Sequence, residues 1–331
     1  MSDVLIELRE EFPTYRIWRE VFPGRTRYIA RSRHQGLHPH TVVTADVSEL
    51  REALSPAGQP AATAHTRILV PDAPNIARLY GYWLDEKDHG AADRAAADAI
   101  TEQFPEVAAI ARANRAFLGR AVRFAARQGI RQFVDLGSGL PASPNVHEIA
   151  QSVRPDARVV YVDHDPIVLA HARMLLAVDD NVSVVAGDIR EPGALLRNNA
   201  LNETIVPDAP VCVLLGSVLH FLTADEADNA VAAYRAWMPP GSDLVISAGT
   251  STGTAPELIR CLQDVYGEAA PVTARSESEI AAWFDGLSLA RPGLIDVWAW
   301  RPEDLQPAVS GRAKFLAAVG RKTTVNRDWA P

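Results

Sequence analysis

The sequence predicts an α/β protein built on a doubly wound, mainly parallel sheet. Three observations predict it. From Gln132 onward, short apolar runs alternate with helical patterns, the order that lays parallel strands side by side. The first run, Phe133-Val-Asp-Leu-Gly-Ser-Gly139, passes from an apolar strand into an acid and two glycines. Two later runs, Val159-Val-Tyr-Val-Asp163 and the one closing on Ala186-Gly-Asp188, also end on acids. In a parallel sheet these strand ends share the carboxyl edge, where ligands bind.

The elements are expected in the following order. Residues 1–58 form a small α+β head. Tyr15 to Val21 and Thr26 to Arg31 alternate polar and apolar residues around Phe22-Pro-Gly-Arg25, a hairpin signal. Thr41 to Ala45 supplies a third strand, and Ser48 to Leu54 a short helix. Arg16, Arg19, Arg25, Arg27, Arg31 and Arg33 read as the solvated face of that small sheet. Residues 59–70 are a Pro/Ala-rich linker. Residues 71–128 are a helical lid, with helices over Asn75 to Leu84, Ala91 to Phe104 and Glu106 to Arg127. Residues 129–331 are the sheet-bearing core. Strands are expected over 131–136, 158–163, 182–186, 211–215 and 242–248, with helices over 144–153, 165–177, 223–236 and 255–266. Leu287 to Ala290 and Ile295 to Trp300, joined by Pro292-Gly293, read as a late hairpin with an antiparallel strand at the sheet's end.

Composition narrows the function. The 331 residues are 47% hydrophobic, enough for one large or two unequal domains. A net charge of −8 argues against a broad nucleic-acid surface. Two cysteines, Cys212 and Cys261, lack metal or disulfide spacing. The acidic start carries no signal-peptide pattern, and no apolar run reaches membrane-spanning length. A cytoplasmic protein that neither enters a membrane nor needs a metal is expected.

The acid-bearing strand ends suit a ligand with a cationic amino acid, a ribose and an adenine, namely S-adenosylmethionine. A dinucleotide competes, because Gly137-Ser-Gly139-Leu-Pro-Ala142 fits G-x-G-x-x-A and Asp163 follows near the ribose-binding distance. Asp135 would oppose a pyrophosphate, however. Pro141 and Pro144 also keep a helix from starting at the glycines, where a dinucleotide needs its N-terminus. A helix beginning at Pro144, with Ser143 as its N-cap, is expected instead.

Several stretches resemble the actinobacterial S-adenosylmethionine-dependent methyltransferase family first catalogued as the domain of unknown function DUF574. They include Asn75-Ile-Ala-Arg-Leu-Tyr-Gly-Tyr-Trp-Leu84, Lys87-Asp88, Ala91-Ala-Asp-Arg94, Ala113-Asn-Arg-Ala-Phe-Leu-Gly-Arg-Ala121 and Phe133 to Pro141. Asn145-Val-His-Glu148, Tyr161-Val-Asp163, Val168-Leu-Ala-His-Ala172 and Val218-Leu-His-Phe221 continue the match. The resemblance spans about Ile68 to Lys322 and implies a Rossmann-like class I methyltransferase sheet preceded by extra helices. It does not reach the head. Where the family has Leu-Gly-Gly-Lys-Asp, this chain has Leu84-Asp-Glu-Lys-Asp88, so a backbone approach that glycine permits is expected to be lost.

The resemblance implies roles. Asp135, Gly137, Ser138 and Gly139 meet the methionine part of S-adenosylmethionine. Asp163, with two acceptor oxygens, takes the ribose hydroxyls, with His164 beside it. Asp188 and Ile189 meet the adenine, and Ser217 completes the shell. Tyr80, Lys87 and Arg94 close over the cofactor from the lid, unless the charged pairs there are plain surface groups. His220, after the fourth strand, is the candidate general base toward an oxygen or nitrogen nucleophile, against a structural histidine beneath the site. The expected product is S-adenosylhomocysteine. A small-molecule acceptor and a homodimer through the head are the expected partners. A non-catalytic binder of the same cofactor and an NAD-linked oxidoreductase are the alternatives.

Overall fold

The structure, a computed structural model, describes residues 3–22, 25–32, 41–44, 47–54, 74–86, 88–176, 180–267, 270–302 and 313–323. The chain divides into two compact units, Met1–Val70 and Pro71–Pro331.

The first unit holds helix α1 (Asp3–Glu11), strands β1 (Tyr15–Phe22), β2 (Arg25–Ser32) and β3 (Thr41–Thr44), and helix α2 (Val47–Leu54). The strands form an antiparallel sheet in the order β1-β2-β3. Its alternation is real: Tyr15 and Ile17 are buried while Arg16 and Arg19 are exposed. Leu8, Phe12, Leu50 and Leu54 complete a core of its own. Helix α1 was not foreseen; its buried Leu8 lies among charged residues that hide the helical period. Arg33 and the 59–70 linker lie outside the described residues.

The second unit begins with helices α3 (Ile76–Trp83), α4 (Ala91–Gln103) and α5 (Val107–Arg127). Then come β4 (Gln132–Leu136), α6 (Val146–Val153), β5 (Arg158–Asp163), α7 (Pro166–Leu175) and β6 (Val182–Ala186). Short helices α8 (Pro192–Leu195) and α9 (Asn199–Thr204) precede β7 (Cys212–Gly216), a 3-10 turn (Leu219–Phe221), α10 (Ala224–Trp237) and β8 (Asp243–Thr250). The chain continues with α11 (Pro256–Tyr266), α12 (Glu277–Ala282), β9 (Ser288–Leu289), β10 (Ile295–Asp296) and β11 (Lys314–Arg321).

Among the described residues one eight-stranded sheet runs β10-β11-β8-β7-β4-β5-β6, with β9 also paired to β11. β4 to β8 run parallel to one another in it. Order reverses between β4 and β7, the switch point at which open α/β sheets bind ligands. The strands alternate between two cores. Val134, Val160 and Val213 face one layer, and Phe133, Val159 and Cys212 the other. The C-terminal half of α5 packs on the sheet through Phe117, Ala121 and Ala125, so this helix does more than cover a ligand.

Two expectations fail. The late hairpin does not form: β9 and β10 each pair with β11 rather than with one another. β11 is inserted antiparallel between β10 and β8, and its Ala317, Ala318 and Gly320 offer little strand propensity to read. The helix after the glycines starts at Val146, not Pro144. Asn145 and Glu148 form a capping box in which the Asn145 N–H donates to Glu148 Oε2 at 2.5 Å, a stronger start than Ser143 offers.

β8 and β11 are tied by a buried ion pair. Arg321 Nε and Nη2 each donate to an Asp243 oxygen at 2.7 Å, and Asp243 is wholly buried. Replacing Asp243 by Ala leaves that guanidinium without its anion. Arg321 is 30% exposed, so we expect a loss of about 2–3 kcal/mol, less than for a fully buried pair. Urea unfolding followed by circular dichroism measures it, and an unchanged midpoint would remove the pair from the forces holding β11.

Candidate active site

The acids meet at the sheet edge because β4, β5 and β6 are parallel and in register. Asp135 pairs with Tyr161, and Asp163 with Ala186, two residues before Asp188. All three acids line one cavity of about 600 Å³, together with the glycine loop, the tops of α3 and α5, and α11.

The loop is held by its backbone. Gly137 and Gly139 have φ of +70° and +65°, and a Cβ on Gly137 would lie 2.7 Å from Val218 Cγ2, so both turn and contact require glycine. The N–H groups of Gly137 and Ser138 donate to the Val162 carbonyl at 2.9 and 3.1 Å. Gly139 N–H donates to Asp163 Oδ2 at 3.0 Å, and Asp165 N–H to Asp163 Oδ1 at 2.9 Å. Ser138 Oγ is buried without a hydrogen-bond partner among the described residues. Farther along, Arg115 donates through Nη2 to the carbonyls of Ala142 and Pro144, the latter at 2.6 Å.

Burial sets the electrostatics. Desolvation pushes the Asp135 carboxyl up to about 6; the Arg115 charge pulls it down and Asp163 adds to the rise. Asp163 is raised as well, because burial outweighs its two N–H donors. Asp188 differs. Burial would raise it, but the side-chain and backbone hydrogen bonds from Arg190 hold it below the usual range. Arg190 Nε donates to both oxygens at 2.9 and 3.0 Å, and Nη2 to Oδ2 at 2.5 Å. His164 is exposed on the rim, its Nδ1 3.8 Å from Asp163 Oδ1.

The helical layer joins the sheet by hydrogen bonds. Asn114 Nδ2 donates to Tyr80 Oη at 2.8 Å, and Tyr80 Oη to the Ala111 carbonyl at 3.1 Å. Ser247 Oγ donates to Asn114 Oδ1 at 2.6 Å and accepts from Ser217 N–H at 3.1 Å. Ser217 takes a positive φ of +58°. Burial raises the Tyr80 phenol to about 12, so it stays a donor at neutral pH.

His220 sits on the 3-10 turn beyond β7 and lines the cavity. Burial, aided by the Arg275 charge, lowers its imidazole to about 4. Nδ1 is buried without a hydrogen-bond partner among the described residues. Arg275 fixes the turn, donating from Nη1 to Leu219 O at 2.9 Å and from Nη2 to Thr223 O at 2.8 Å.

Asp135, Gly137, Ser138, Gly139, Asp163, His164, Asp188, Ile189, Ser217, Tyr80 and His220 thus gather around one cavity. Arg94 does not line it; its Nη1 faces His89 at 3.4 Å. Lys87 lies outside the described residues. Asp85 has φ +63°, a conformation that favours glycine, at a position where the resembling family has glycine, and stands exposed 3.6 Å from Arg112 Nη1. Asn114, Arg115, Ser247 and Arg275 were not foreseen. Among the described residues no cluster of three or more His, Cys, Asp or Glu side chains is placed to hold a metal, and no helix is long and apolar enough to cross a membrane.

The chain belongs to the S-adenosyl methyltransferase family, which matches residues 62–323. It is similar to a protein of Thermobifida fusca YX, provisionally classed as a methyltransferase. The two share 39% identity over 79% of this chain and 100% of the other, with a TM-score of 0.73. A DUF574 family protein of Streptomyces avermitilis MA-4680 is 36% identical over 76% of this chain and 98% of its own, with a TM-score of 0.72. No curated protein is matched. The chain is therefore an S-adenosylmethionine-dependent methyltransferase of Rossmann-like fold. Its site fits that cofactor. The desolvated Asp135 suits a cationic ligand, and the helix-free glycine loop does not suit a pyrophosphate.

A cationic ligand favours ionised Asp135. Below about pH 6 the carboxyl is protonated and attracts less. Affinity for S-adenosylmethionine should therefore rise with pH through about 6 and level off above it, with proton release on binding near the midpoint. Calorimetry in two buffers of different ionisation heat counts that proton. Asp135→Asn should abolish the release; equal heats in both buffers with the unaltered protein would refute the linkage.

Proposed function

We propose that the chain transfers a methyl group to an oxygen or nitrogen of a small molecule, with the acids of three adjacent strands holding the donor. The observation that carries this is the meeting of Asp135, Asp163 and Asp188 at one cavity with the glycine loop between them. Asp135 and Ser138 Oγ would face the amino-acid end. Asp163 keeps one lone pair on each oxygen beyond its backbone donors, enough for two ribose hydroxyls. Ile189 would pack on the adenine, and Asp188, fixed by Arg190, would accept from its amino group. The cofactor supplies an already activated methyl, so the residues need mainly to align the acceptor and exclude water. His220 would contact the acceptor. A small-molecule acceptor suits a cavity of about 600 Å³ and an acidic chain.

We further propose that residues 1–58 are a separate module, with its own core of Leu8, Ile17 and Leu50, that serves a homodimer or acceptor delivery rather than cofactor binding.

Asp163→Ala should weaken S-adenosylhomocysteine binding by about 1.5–3 kcal/mol in a protein that still folds. Calorimetry decides it, and unchanged affinity would remove Asp163 from the ribose site. A chain starting at His65 should fold and bind S-adenosylhomocysteine while losing dimerisation or turnover. Thermal melting, calorimetry and light scattering test this; an unfolded or cofactor-blind truncation would make the head integral to the catalytic unit.

A further inference from the structure

The cavity is chemically divided. Asp135, Asp163, Asp188, Arg190 and Arg115 line one part. Phe104, Ile110, Phe221, Leu262, Tyr266 and Phe315 line another, and they belong to the apolar cluster joining α3, α4 and α5 to α11. That apolar wall exceeds what a ribose, an adenine and an amino acid need, since those groups are met by the acids and Ile189.

The side chain of His220 stands against this apolar part. His220 has its ring 4.3 Å from that of Phe221 and 5.9 Å, edge to face, from that of Phe315. Among the described residues its Nδ1 is buried without a hydrogen-bond partner. A buried polar group left unpaired costs free energy unless a ligand satisfies it.

We propose that the apolar part of the cavity binds a hydroxyl-bearing aromatic molecule whose oxygen lies against His220 and receives the methyl group. This rests on the cofactor placement above. The acceptor oxygen's lone pair forms the new O–CH3 bond as the S–CH3 bond breaks and its electron pair returns to sulfur. The O–H proton passes to the imidazole and from there to water. An imidazole lowered to about 4 is a weak base. It still takes a proton from an oxygen that has been methylated, because an oxonium is strongly acidic. Methylation of a hydroxyl oxygen requires loss of its proton, and His220 is the group placed to take it; a neutral amine would need no such partner. The apolar wall selects the rest of the molecule by burial.

The test uses the full chain saturated with S-adenosylhomocysteine, its binding measured first by calorimetry. 2-Naphthol, naphthalene and glucose are then titrated, and 2-naphthol is incubated with S-adenosylmethionine and followed by mass spectrometry. We expect 2-naphthol to bind, naphthalene to bind more weakly, glucose not to bind, and 2-methoxynaphthalene to form. Leu262→Asp should weaken 2-naphthol at least tenfold with S-adenosylhomocysteine affinity unchanged. Leu262→Asn should do the same more mildly, and keeps the test open if the Asp variant does not fold. His220→Ala should reduce 2-naphthol affinity roughly three- to tenfold and leave naphthalene unaffected, as one lost hydrogen bond requires. Failure of S-adenosylhomocysteine to bind would overturn the cofactor placement and this proposal with it. Normal S-adenosylhomocysteine binding with no 2-naphthol binding, or equal binding of glucose, would overturn this proposal alone.

Discussion

The carboxylate of Asp163 is the point on which the site depends. Its two oxygens accept from Gly139 N–H and Asp165 N–H, so one side chain at the end of β5 fixes both the glycine loop and the entry to α7. Asp165 then caps α7 through Oδ1, taking the Ile167 N–H at 2.7 Å, and receives the Asn75 amide on Oδ2. Asn75 in turn caps α3. A path of short hydrogen bonds therefore runs from the sheet edge to the helical layer. Burial of Asp163 raises its proton affinity, and the two backbone donors are what oppose that rise.

A second anchor holds the helices to each other. Asp93 is wholly buried at the start of α4 and accepts from Gly90 N–H at 2.6 Å, Asn75 N–H at 2.9 Å and Arg78 Nε at 2.7 Å. A buried carboxylate so satisfied is fixed in place, and so is the α3–α4 corner. The chain Ser217–Ser247–Asn114–Tyr80 does the same for the floor of the cavity, tying β8 and the loop after β7 to α5 and α3. These are directional ties. They set the position of side chains around the ligand, while the apolar clusters supply the bulk of the burial.

The sheet was legible because its central strands are apolar on both faces and because β4, β5 and β6 lead into acids at their carboxyl ends. β4 to β8 fall within two residues of their expected bounds. β11 was hidden because three of its eight residues are alanine or glycine, and its partners β9 and β10 are two residues each. The acids of the site could be read from strand-end position alone. Asn114, Arg115 and Ser247 could not, since each lies inside a helix or strand and acts through a tertiary partner far away in sequence. Arg275 is the extreme case: it is 3% exposed and its charge is spent on carbonyls, which no sequence spacing encodes. The family resemblance supplied Tyr80, whereas Arg94, read the same way, turned to His89 outside the cavity.

Division of the cavity by polarity bears on how the rate is raised. A sulfonium loses its charge as its methyl departs, so surroundings that bind the cation tightly at the reacting atoms would hold it in the ground state. The acids here gather at the strand ends, where, on the placement proposed above, they would anchor parts of the ligand that do not react. The groups around His220 are aromatic rings and a neutral imidazole. On the placement proposed above, the acids would serve binding and orientation, and they stand apart from the aromatic rings that flank His220. The Arg275 guanidinium adds to the effect of burial: its charge lowers the imidazole further, while its own hydrogen bonds go to the carbonyls of the turn that carries His220. The same residue therefore fixes where the imidazole stands and keeps it uncharged there.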